Sequence, residues 1–315
     1  MAVLSDGLID QPLPGGRFSH GSESNEHTKM KGVESTAVLY EVDELGVLTL
    51  TLNRPARNNA WNRELEFALH DLLEQASESR AVRSIVITGA GRAFSPGLDT
   101  EDLDRVSQPG QSMDHSGRRP MVLPALVPKP VVCAINGACA GLGLITALLS
   151  DVRFAARDAK ITTAFVRRGL PAEEAVSWIL PRVVGHAVAL DLLLSGRVVL
   201  GDEAAELGLV HRALPREQLL LGAQGYARDI AENCSPIAMA AAKAQVYQDW
   251  TRGLSDSRLQ SRRLVGELKK VSSDFREGVE SFVQKRPARF EPLSRSIDYS
   301  DYPDSPDSLK GNTGS

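Results

Sequence analysis

The feature that most limits the fold is a recurring unit, in which an apolar run ends in a glycine-rich turn. Residues 82–88 (VRSIVIT) precede Gly89-Ala90-Gly91, and residues 130–135 (PVVCAI) precede Asn136-Gly137. Apolar, β-branched runs of this length, bounded by turn residues, predict buried strands. Helical patterns alternate with them, so the sequence predicts an α/β core.

The remaining pattern extends this core and adds a helical C-terminal part. An amphipathic helix is predicted over 62–79, because Leu65, Leu69, Leu72 and Leu73 share one face. Further strands are predicted at 38–42, 46–53, 152–156 and 160–163. Further helices are predicted at 141–150, 174–184, 186–194, 202–207, 215–233, 235–251, 255–270 and 273–285.

One uncharged stretch, residues 130–150, is long enough to cross a membrane, which takes about 20 residues. Asn136-Gly137 interrupts it, and the residues before that pair are β-branched. We therefore interpret the stretch as strand, turn and buried helix.

Both ends of the chain lack a strand or helix period. Residues 1–35 hold scattered glycine, serine, proline and charge, and residues 291–315 are rich in serine and aspartate. Such compositions predict a disordered N-terminal extension and a disordered tail. The folded part is then predicted to span about 36–290.

Charge and cysteine content exclude some functions. The 315 residues carry 36 basic and 40 acidic side chains, a net charge of −4, which argues against nucleic acid or an anionic membrane as a partner. Cys133, Cys139 and Cys234 form no CxxC pair, and the N-terminus lacks the pattern of a signal peptide. We therefore expect a reduced, cytoplasmic compartment and no membrane span.

Common catalytic motifs are weak or absent in the sequence. Residues 89–94 (GAGRAF) begin like a dinucleotide-binding turn, but the third glycine is Phe94 and no long helix is predicted after it. The sequence has no G-x-S-x-G, no HxxxH and no cysteine–histidine spacing that suits zinc. We expect neither a nicotinamide cofactor nor a metal.

Two glycine-rich turns are more informative. Residues 94–99 (FSPGLD) follow one predicted strand, and residues 136–143 (NGACAGLG) follow another and enter a helix. Each turn could leave backbone N–H groups pointing into a shared cleft, where two donors could stabilise an oxyanion on a thioester carbonyl. Tight connections between strand and helix would explain the turns equally well.

A series of segments in fixed order resolves this choice. The segments are 50–55 (LTLNRP), 59–60 (NA), 85–89 (IVITG), 94–99 (FSPGLD), 129–137 (KPVVCAING), Asp151, 168–171 (RGLP), 180–185 (LPRVVG), 204–210 (AAELGLV) and 277–282 (EGVESF). Through this series the sequence resembles the crotonase, or enoyl-CoA hydratase/isomerase, superfamily.

The resemblance implies a crotonase-like spiral of ββα units with a helical C-terminal trimerisation region. The spiral core would span 36–210 and the helical region 211–290. The family also implies an acyl-CoA substrate and a homotrimer or hexamer. Coenzyme A is then part of the substrate, and no separate cofactor is expected.

The resemblance also assigns residues to an active site. The oxyanion donors would be the backbone N–H groups of Leu98 and Leu142. Phe282 and Lys285 match positions that meet coenzyme A, commonly from a neighbouring subunit, although a helix-core phenylalanine and a solvated lysine are the plainer interpretations. The other predicted substrate-binding residues are Asn59, Ala60, Ser95, Gly97, Asp99, Gly141, Ile145 and Phe165.

The chain departs from the family where hydratases carry two catalytic glutamates, since those positions are Ile145 and Phe165. Glu173 lies eight residues beyond Phe165, where some isomerases and hydrolases of the family carry a carboxylate. In an apolar cleft its pKa would rise towards a useful range for proton transfer. Alternatively, Glu173 could be an acidic side chain that is stabilised by the dipole at the N-terminus of the helix at 174–184. Glu174 is a weaker candidate, and Asp99 is expected to be a structural acceptor.

The sequence therefore predicts an acyl-CoA enzyme that stabilises a thioester enolate and moves a proton with one carboxylate, Glu173. Isomerisation of a double bond is favoured over efficient hydration. A thioester hydrolase, or an acyl-CoA-binding homologue with reduced catalysis, remains an alternative.

Overall fold

The computed structural model describes residues 35–297, apart from residues 112, 113 and 115. The predicted N-terminal extension, apart from residue 35, and most of the predicted C-terminal tail lie outside the described residues. Among the described residues, no helix combines the length and apolar character needed to cross a membrane.

The described chain alternates short strands with helices. The strands are β1 (Val38–Val42), β2 (Val47–Leu52), β3 (Ser84–Gly89), β4 (Ala93–Ser95), β5 (Val131–Ile135), β6 (Ala138–Ala140), β7 (Val152–Ala156), β8 (Lys160–Thr162), β9 (Val199–Leu200) and β10 (Arg212–Leu214). The α-helices are α1 (Arg63–Glu78), α2 (Thr100–Ser107), α3 (Leu123–Leu126), α4 (Leu142–Leu148), α5 (Val176–Val184), α6 (His186–Ser195), α7 (Gly201–Glu206), α8 (Arg216–Asn233), α9 (Pro236–Asp249), α10 (Leu254–Val271) and α11 (Asp274–Gln284).

The strands form two sheets that the chain visits in turn. The first sheet has the order β1-β2-β3-β5-β7-β10, and the second has the order β4-β6-β8-β9. Apart from the antiparallel pairs β1–β2 and β8–β9, the strands are parallel. Between β3 and β8 each unit adds one strand to each sheet, so the chain advances as a spiral. This confirms the predicted crotonase-like fold.

Helix α1 shows how the sequence directs this packing. Asn62 caps its N-terminus by accepting a hydrogen bond from the Leu65 N–H group, and the apolar face predicted from the leucine spacing is buried. At its other end the buried Lys129 donates to the carbonyl groups of Ala76 and Ser79, at 2.5 and 2.6 Å. The lysine thus satisfies carbonyl groups that a helix end leaves without partners.

The first elements after residue 210 pack against the spiral core. Strand β10 forms the edge of the first sheet, next to β7. Helix α8 packs against the same sheet and presents Ala223, Ala227 and Ala231, all fully buried. These small side chains let the helix approach the strands closely. By contrast, α10 has no buried residue.

Several short elements go beyond the sequence prediction. Strands β4 and β6 lie inside the two glycine-rich turns, and β9, β10, α2 and α3 were not expected.

Residues 291–297, assigned by sequence to the tail, lie against α1. There the Ser294 hydroxyl donates to the Glu78 carbonyl at 2.6 Å, and the Arg295 N–H group donates to the Ser77 carbonyl at 3.1 Å. The ordered contacts therefore continue past residue 290.

Candidate active site

A cavity of about 930 Å³ lies where successive strands of the second sheet end. Residues that follow β4, β6 and β8 all line it. Its walls include eight residues that the sequence assigned to the site: Ala60, Gly97, Leu98, Asp99, Gly141, Leu142, Phe165 and Glu173. Parallel strands end at the same edge of a sheet, which is why distant parts of the sequence meet here.

The backbone of Trp61 forms hydrogen bonds with the two residues that flank Leu98. The Trp61 N–H group donates to the Gly97 carbonyl at 2.7 Å, and the Asp99 N–H group donates to the Trp61 carbonyl at 2.8 Å. Because donors alternate along an extended chain, the N–H group of Leu98 points away from Trp61. Leu98 itself lines the cavity.

The second predicted donor is the first residue of a helix. Leu142 begins α4 directly after Gly141, so its N–H group has no acceptor within the helix. The positive end of the helix dipole adds to the attraction for an anion at this position. Leu142 also lines the cavity.

Glycines allow the two turns to touch. A Cβ atom placed on Gly97, where φ is +99°, would lie 3.1 Å from the Ala140 carbonyl oxygen and 3.5 Å from the Leu142 nitrogen. A Cβ atom on Gly143 would lie only 2.4 Å from the Ser95 carbonyl oxygen. Side chains at either position would force the turns apart. The arrangement brings two backbone donors to one wall of the cavity.

Asp99 has a structural role, as the sequence predicts. Its carboxylate lies 3.0 Å from the Arg54 guanidinium and caps α2 by accepting from the Glu101 N–H group. Burial alone would raise the pKa of Asp99, but these hydrogen bonds and the charges of Arg54 and Arg57 outweigh it, so the pKa is lowered. An ionised carboxylate held in this way braces the turn that carries Leu98.

Three predicted substrate-binding residues, Asn59, Ser95 and Ile145, are buried behind the cavity wall. The Asn59 amide donates to the carbonyl groups of Ala90 and Ala93 and accepts from the Arg54 N–H group, at 2.8–2.9 Å. Its left-handed backbone, with φ at 60°, turns the side chain inward. Asn59 therefore shapes the loop that supplies Asn58 and Ala60 to the cavity, and its own side chain does not face it.

Phe282 and Lys285 lie away from this cavity in the single chain. Phe282 is 84% exposed near the end of α11, and Lys285 is exposed and ends that helix with a φ of 52°. Their predicted contact with coenzyme A stays a prediction, since the family makes it across a subunit boundary.

Glu173 lines the cavity from a loop that precedes α5. The Glu173 carbonyl accepts from the Val176 N–H group at 2.9 Å, and Glu174 and Ala175 between them have left-handed backbones. Glu173 is therefore not in a helical first turn, so a dipole does not explain its position. Burial raises the pKa of its carboxyl group. Glu174 lines the cavity as well, so helical geometry does not separate the two glutamates.

Sequence reasoning missed one charged pair in the cavity wall. The Arg118 guanidinium lies 2.6 Å from the Glu66 carboxylate, which also accepts from the Trp61 indole N–H group at 3.1 Å. The signal was present in α1, because Glu66 interrupts its buried face between Leu65 and Leu69. The arginine was not identifiable, since it lies 52 positions further along the chain.

The described residues contain no group of three histidine, cysteine, aspartate or glutamate side chains that could hold a metal ion. The groups that face the cavity can hydrogen-bond, carry charge and exchange protons.

Comparison with known proteins agrees with this architecture. The family model of enoyl-CoA hydratase/isomerase matches residues 43–292. A 1,2-epoxyphenylacetyl-CoA isomerase of Escherichia coli is 37% identical over 252 residues, covering 78% of this chain and 95% of that protein.

Solved structures give the same assignment. An enoyl-CoA hydratase of Mycobacterium marinum is 46% identical, with a TM-score of 0.60 over 69% of this chain and all of the other. An enoyl-CoA hydratase of Bacillus anthracis is 26% identical, with a TM-score of 0.74 over 81% of this chain and 99% of the other. With the spiral fold and paired turns, these matches show that the chain belongs to the enoyl-CoA hydratase/isomerase family of enzymes.

Proposed function

We propose that this enzyme moves a double bond within an acyl-CoA substrate, using Glu173 as its proton shuttle. The observation that carries the proposal is the placement of Glu173 in the cavity wall. By the motif resemblance, the positions of the two hydratase glutamates are Ile145 and Phe165 in this chain. Neither of these apolar side chains can transfer a proton. Addition of water needs a group that activates the water as well as one that protonates carbon, whereas isomerisation needs one shuttle.

The reaction begins with the thioester carbonyl oxygen held between the N–H groups of Leu98 and Leu142. Glu173 removes a proton from C2 of a 3-enoyl-CoA, and the electron pair moves onto the thioester oxygen to form a dienolate. The two N–H donors stabilise the negative charge that develops there. Return of the same proton to C4 gives the 2-enoyl-CoA and restores the Glu173 carboxylate.

The environment of the lining carboxylates supports Glu173 as the base. Asp99 is paired with Arg54, and Glu66 is paired with Arg118, so both carboxylates are held by a cation. Burial raises the pKa of Glu173, which brings it closer to the range suited to proton exchange. The Escherichia coli relative is named as an isomerase of an epoxyphenylacetyl-CoA, so its name supports isomerisation of an acyl-CoA but not the movement of a double bond.

A catalytically reduced acyl-CoA-binding protein is the second candidate. The apolar side chains of Ile145 and Phe165 favour it, since both hydratase acids are absent. Direct comparison of 2-enoyl-CoA and 3-enoyl-CoA turnover separates the two candidates, because a binding protein would turn over neither.

The test is a pair of isosteric variants at neighbouring positions. Glu173→Gln should lower 3-enoyl-CoA isomerisation about 10²–10⁴-fold, the usual effect of losing a general acid/base. Its affinity for acetoacetyl-CoA, measured by calorimetry, should stay close to that of the wild type. Glu174→Gln tests the neighbouring carboxylate, which also lines the cavity, and a loss of turnover in this variant in place of Glu173→Gln would assign the proton transfer to Glu174. Full activity in Glu173→Gln would show that another group moves the proton.

We also propose that the helical C-terminal part assembles the enzyme as a homotrimer or a hexamer. Helices α10 and α11 carry large exposed apolar side chains, among them Leu254, Phe275, Phe282 and Val283. Burying such side chains against a second copy is favourable. Light scattering at micromolar concentration should give three or six chain masses, and a single-chain mass would contradict the assembly.

A further inference from the structure

Arg118 presents unused hydrogen-bond donors to the cavity. Its Nε donates to the Asp114 carbonyl at 2.7 Å, and its Nη1 donates to Glu66 at 2.6 Å. Within the ranges that the structure describes, its Nη2 group has no acceptor. The side chain is 14% exposed and forms part of the cavity wall, so these donors are open to a ligand.

The pairing with Glu66 fixes the direction of this guanidinium. Glu66 is only 1% exposed, and its carboxylate accepts from both Arg118 and the fully buried Trp61 indole. The Oε2 atom of this buried carboxylate accepts both hydrogen bonds, so the indole fixes the position of the acceptor that orients the arginine. The backbone of the same Trp61 carries the turn of Leu98, which ties the arginine to the proposed oxyanion hole.

Apolar side chains line the cavity together with Arg118. Met121 and Val122 follow it closely in the chain, and α2 contributes Leu103 and Val106 to the same cavity. The hydrocarbon part of an acyl-CoA is its acyl group, so these side chains suit the acyl group better than the charged coenzyme arm. A guanidinium with a free donor among them suits an acyl group that carries an oxygen atom away from the thioester.

The charges of the cluster favour a neutral oxygen over a second carboxylate. Arg118 and its neighbour Arg119 are paired with three carboxylates, Glu66, Asp71 and Glu74. Asp71 and Glu74 do not themselves line the cavity, but through these pairs each of the two arginines is already neutralised by a carboxylate of the protein. A ligand carboxylate would therefore meet no uncompensated positive charge here, whereas a hydroxyl, ketone or ether oxygen could accept a hydrogen bond without needing one.

His70 leaves this balance unchanged. It is buried one turn after Glu66 in α1, and its Nδ1 atom has no hydrogen-bond partner within the described part of the chain. Burial, together with the positive charges of Arg119 and Arg118, lowers the pKa of His70 to about 3. The imidazole is therefore neutral at physiological pH and adds no positive charge.

We infer that Arg118, positioned by Glu66, is a specificity-determining residue that selects acyl-CoA substrates with a neutral oxygen substituent on the acyl group. This inference rests on the proposed acyl-CoA function. It concerns recognition alone and does not require any particular reaction at the thioester.

Binding measurements test the inference without using catalysis. Calorimetry would compare saturated acyl-CoAs of four, six and eight carbons with their terminal hydroxyl and terminal carboxyl counterparts. In at least one length the hydroxylated ligand should bind about 10-fold more tightly than the plain one, the effect of one hydrogen bond to a charged group. The carboxylated ligands should bind no better than the plain ones.

Two variants assign the preference to the arginine. Arg118→Met, made together with Glu66→Gln so that no buried carboxylate loses its cation, should abolish the preference for the hydroxylated ligand and leave affinity for the plain ligand nearly unchanged. Arg119→Met is the matched control, since it also removes a lining arginine but one already shared by Asp71 and Glu74. It should keep the preference.

The possible failures are distinguishable. Absence of binding by every acyl-CoA would overturn the proposed function itself. If the wild-type protein bound acyl-CoAs but did not prefer the hydroxylated ligands, the inference alone would be overturned. This outcome can be seen without any variant. A uniform loss of affinity for all ligands and free coenzyme A in the double variant with Arg118→Met would place the arginine on the coenzyme arm.

Discussion

The contact between the two glycine-rich turns can be tested by adding one methyl group. In Gly143→Ala the new Cβ atom would lie 2.4 Å from the Ser95 carbonyl oxygen and 2.8 Å from the Ser95 Cβ atom. Optimal contacts between such atoms are about 3.5 Å or longer, so the shortfall is about 1 Å. The carbonyl belongs to β4 and cannot rotate away, so the start of α4 must move instead.

This movement shifts the N–H group of Leu142, which directly precedes Gly143. A misplacement of about 1 Å can reduce catalysis about 10²-fold, and loss of one oxyanion donor costs about 10²–10³-fold. We therefore expect kcat for a 3-enoyl-CoA to fall about 10²-fold in Gly143→Ala. Overpacking of this kind also destabilises by about 1–3 kcal/mol, so thermal unfolding should occur at a lower temperature.

The control is a glycine with open space around it. A Cβ atom on Gly225, inside α8, would meet nothing within 4 Å. Gly225→Ala should therefore keep kcat and add about 0.5–1 kcal/mol of stability, because alanine is the better helix former. If Gly143→Ala turned over substrate as fast as Gly225→Ala, the close contact of the turns would not control the proposed oxyanion hole.

Three further predictions concern charge. Turnover should rise with pH through the pKa of Glu173, because a base acts when it is ionised. Burial should place that rise above the ordinary pKa of about 4.3 for a glutamate. A flat profile of turnover from about pH 4 to 8 would refute this. Lys243→Met should lower the free energy of unfolding by about 1–3 kcal/mol in urea titrations, since it leaves the partly buried carboxylate of Asp151 without the ammonium 2.8 Å away. An unchanged midpoint would contradict it. Burial lowers the pKa of Lys129 to about 7, so the unfolded chain binds more protons above that pH and stability should rise towards pH ~9. Lys129→Met should remove that rise, and an unaltered pH slope would count against the lysine.

The sequence predicted the parts of the fold that depend on local pattern. The buried runs at β3 and β5 and the leucine face of α1 follow from local pattern, and the helix predicted over 62–79 is observed at Arg63–Glu78, after its capping residue Asn62. Strands β4 and β6 were not separable from the turns that contain them, because three small or apolar residues carry no period of their own. Their pairing across the second sheet defines them.

The candidate site likewise contains features that sequence motifs predict and features that depend on the three-dimensional path of the chain. The proximity of Leu98 and Leu142 followed from a resemblance in motif order, and the structure places both in one cavity wall. The inward side chain of Asn59 depends on a left-handed backbone that the sequence does not show. The pair of Glu66 and Arg118 depends on the path of the chain between them, which no local pattern encodes.

The two-sheet spiral has a consequence for how such an enzyme can change during evolution. Leu98 and Leu142 follow β4 and β6, which are adjacent parallel strands, and neighbouring strands lie about 4.8 Å apart. The separation of the two donors is thus inherited from main-chain spacing and is insensitive to the side chains that line the pocket. Lining residues such as Phe165 and Glu173 can be exchanged to move the proposed acid or reshape the pocket without changing the spacing of these two N–H groups. New reactions can therefore arise on this scaffold one side chain at a time.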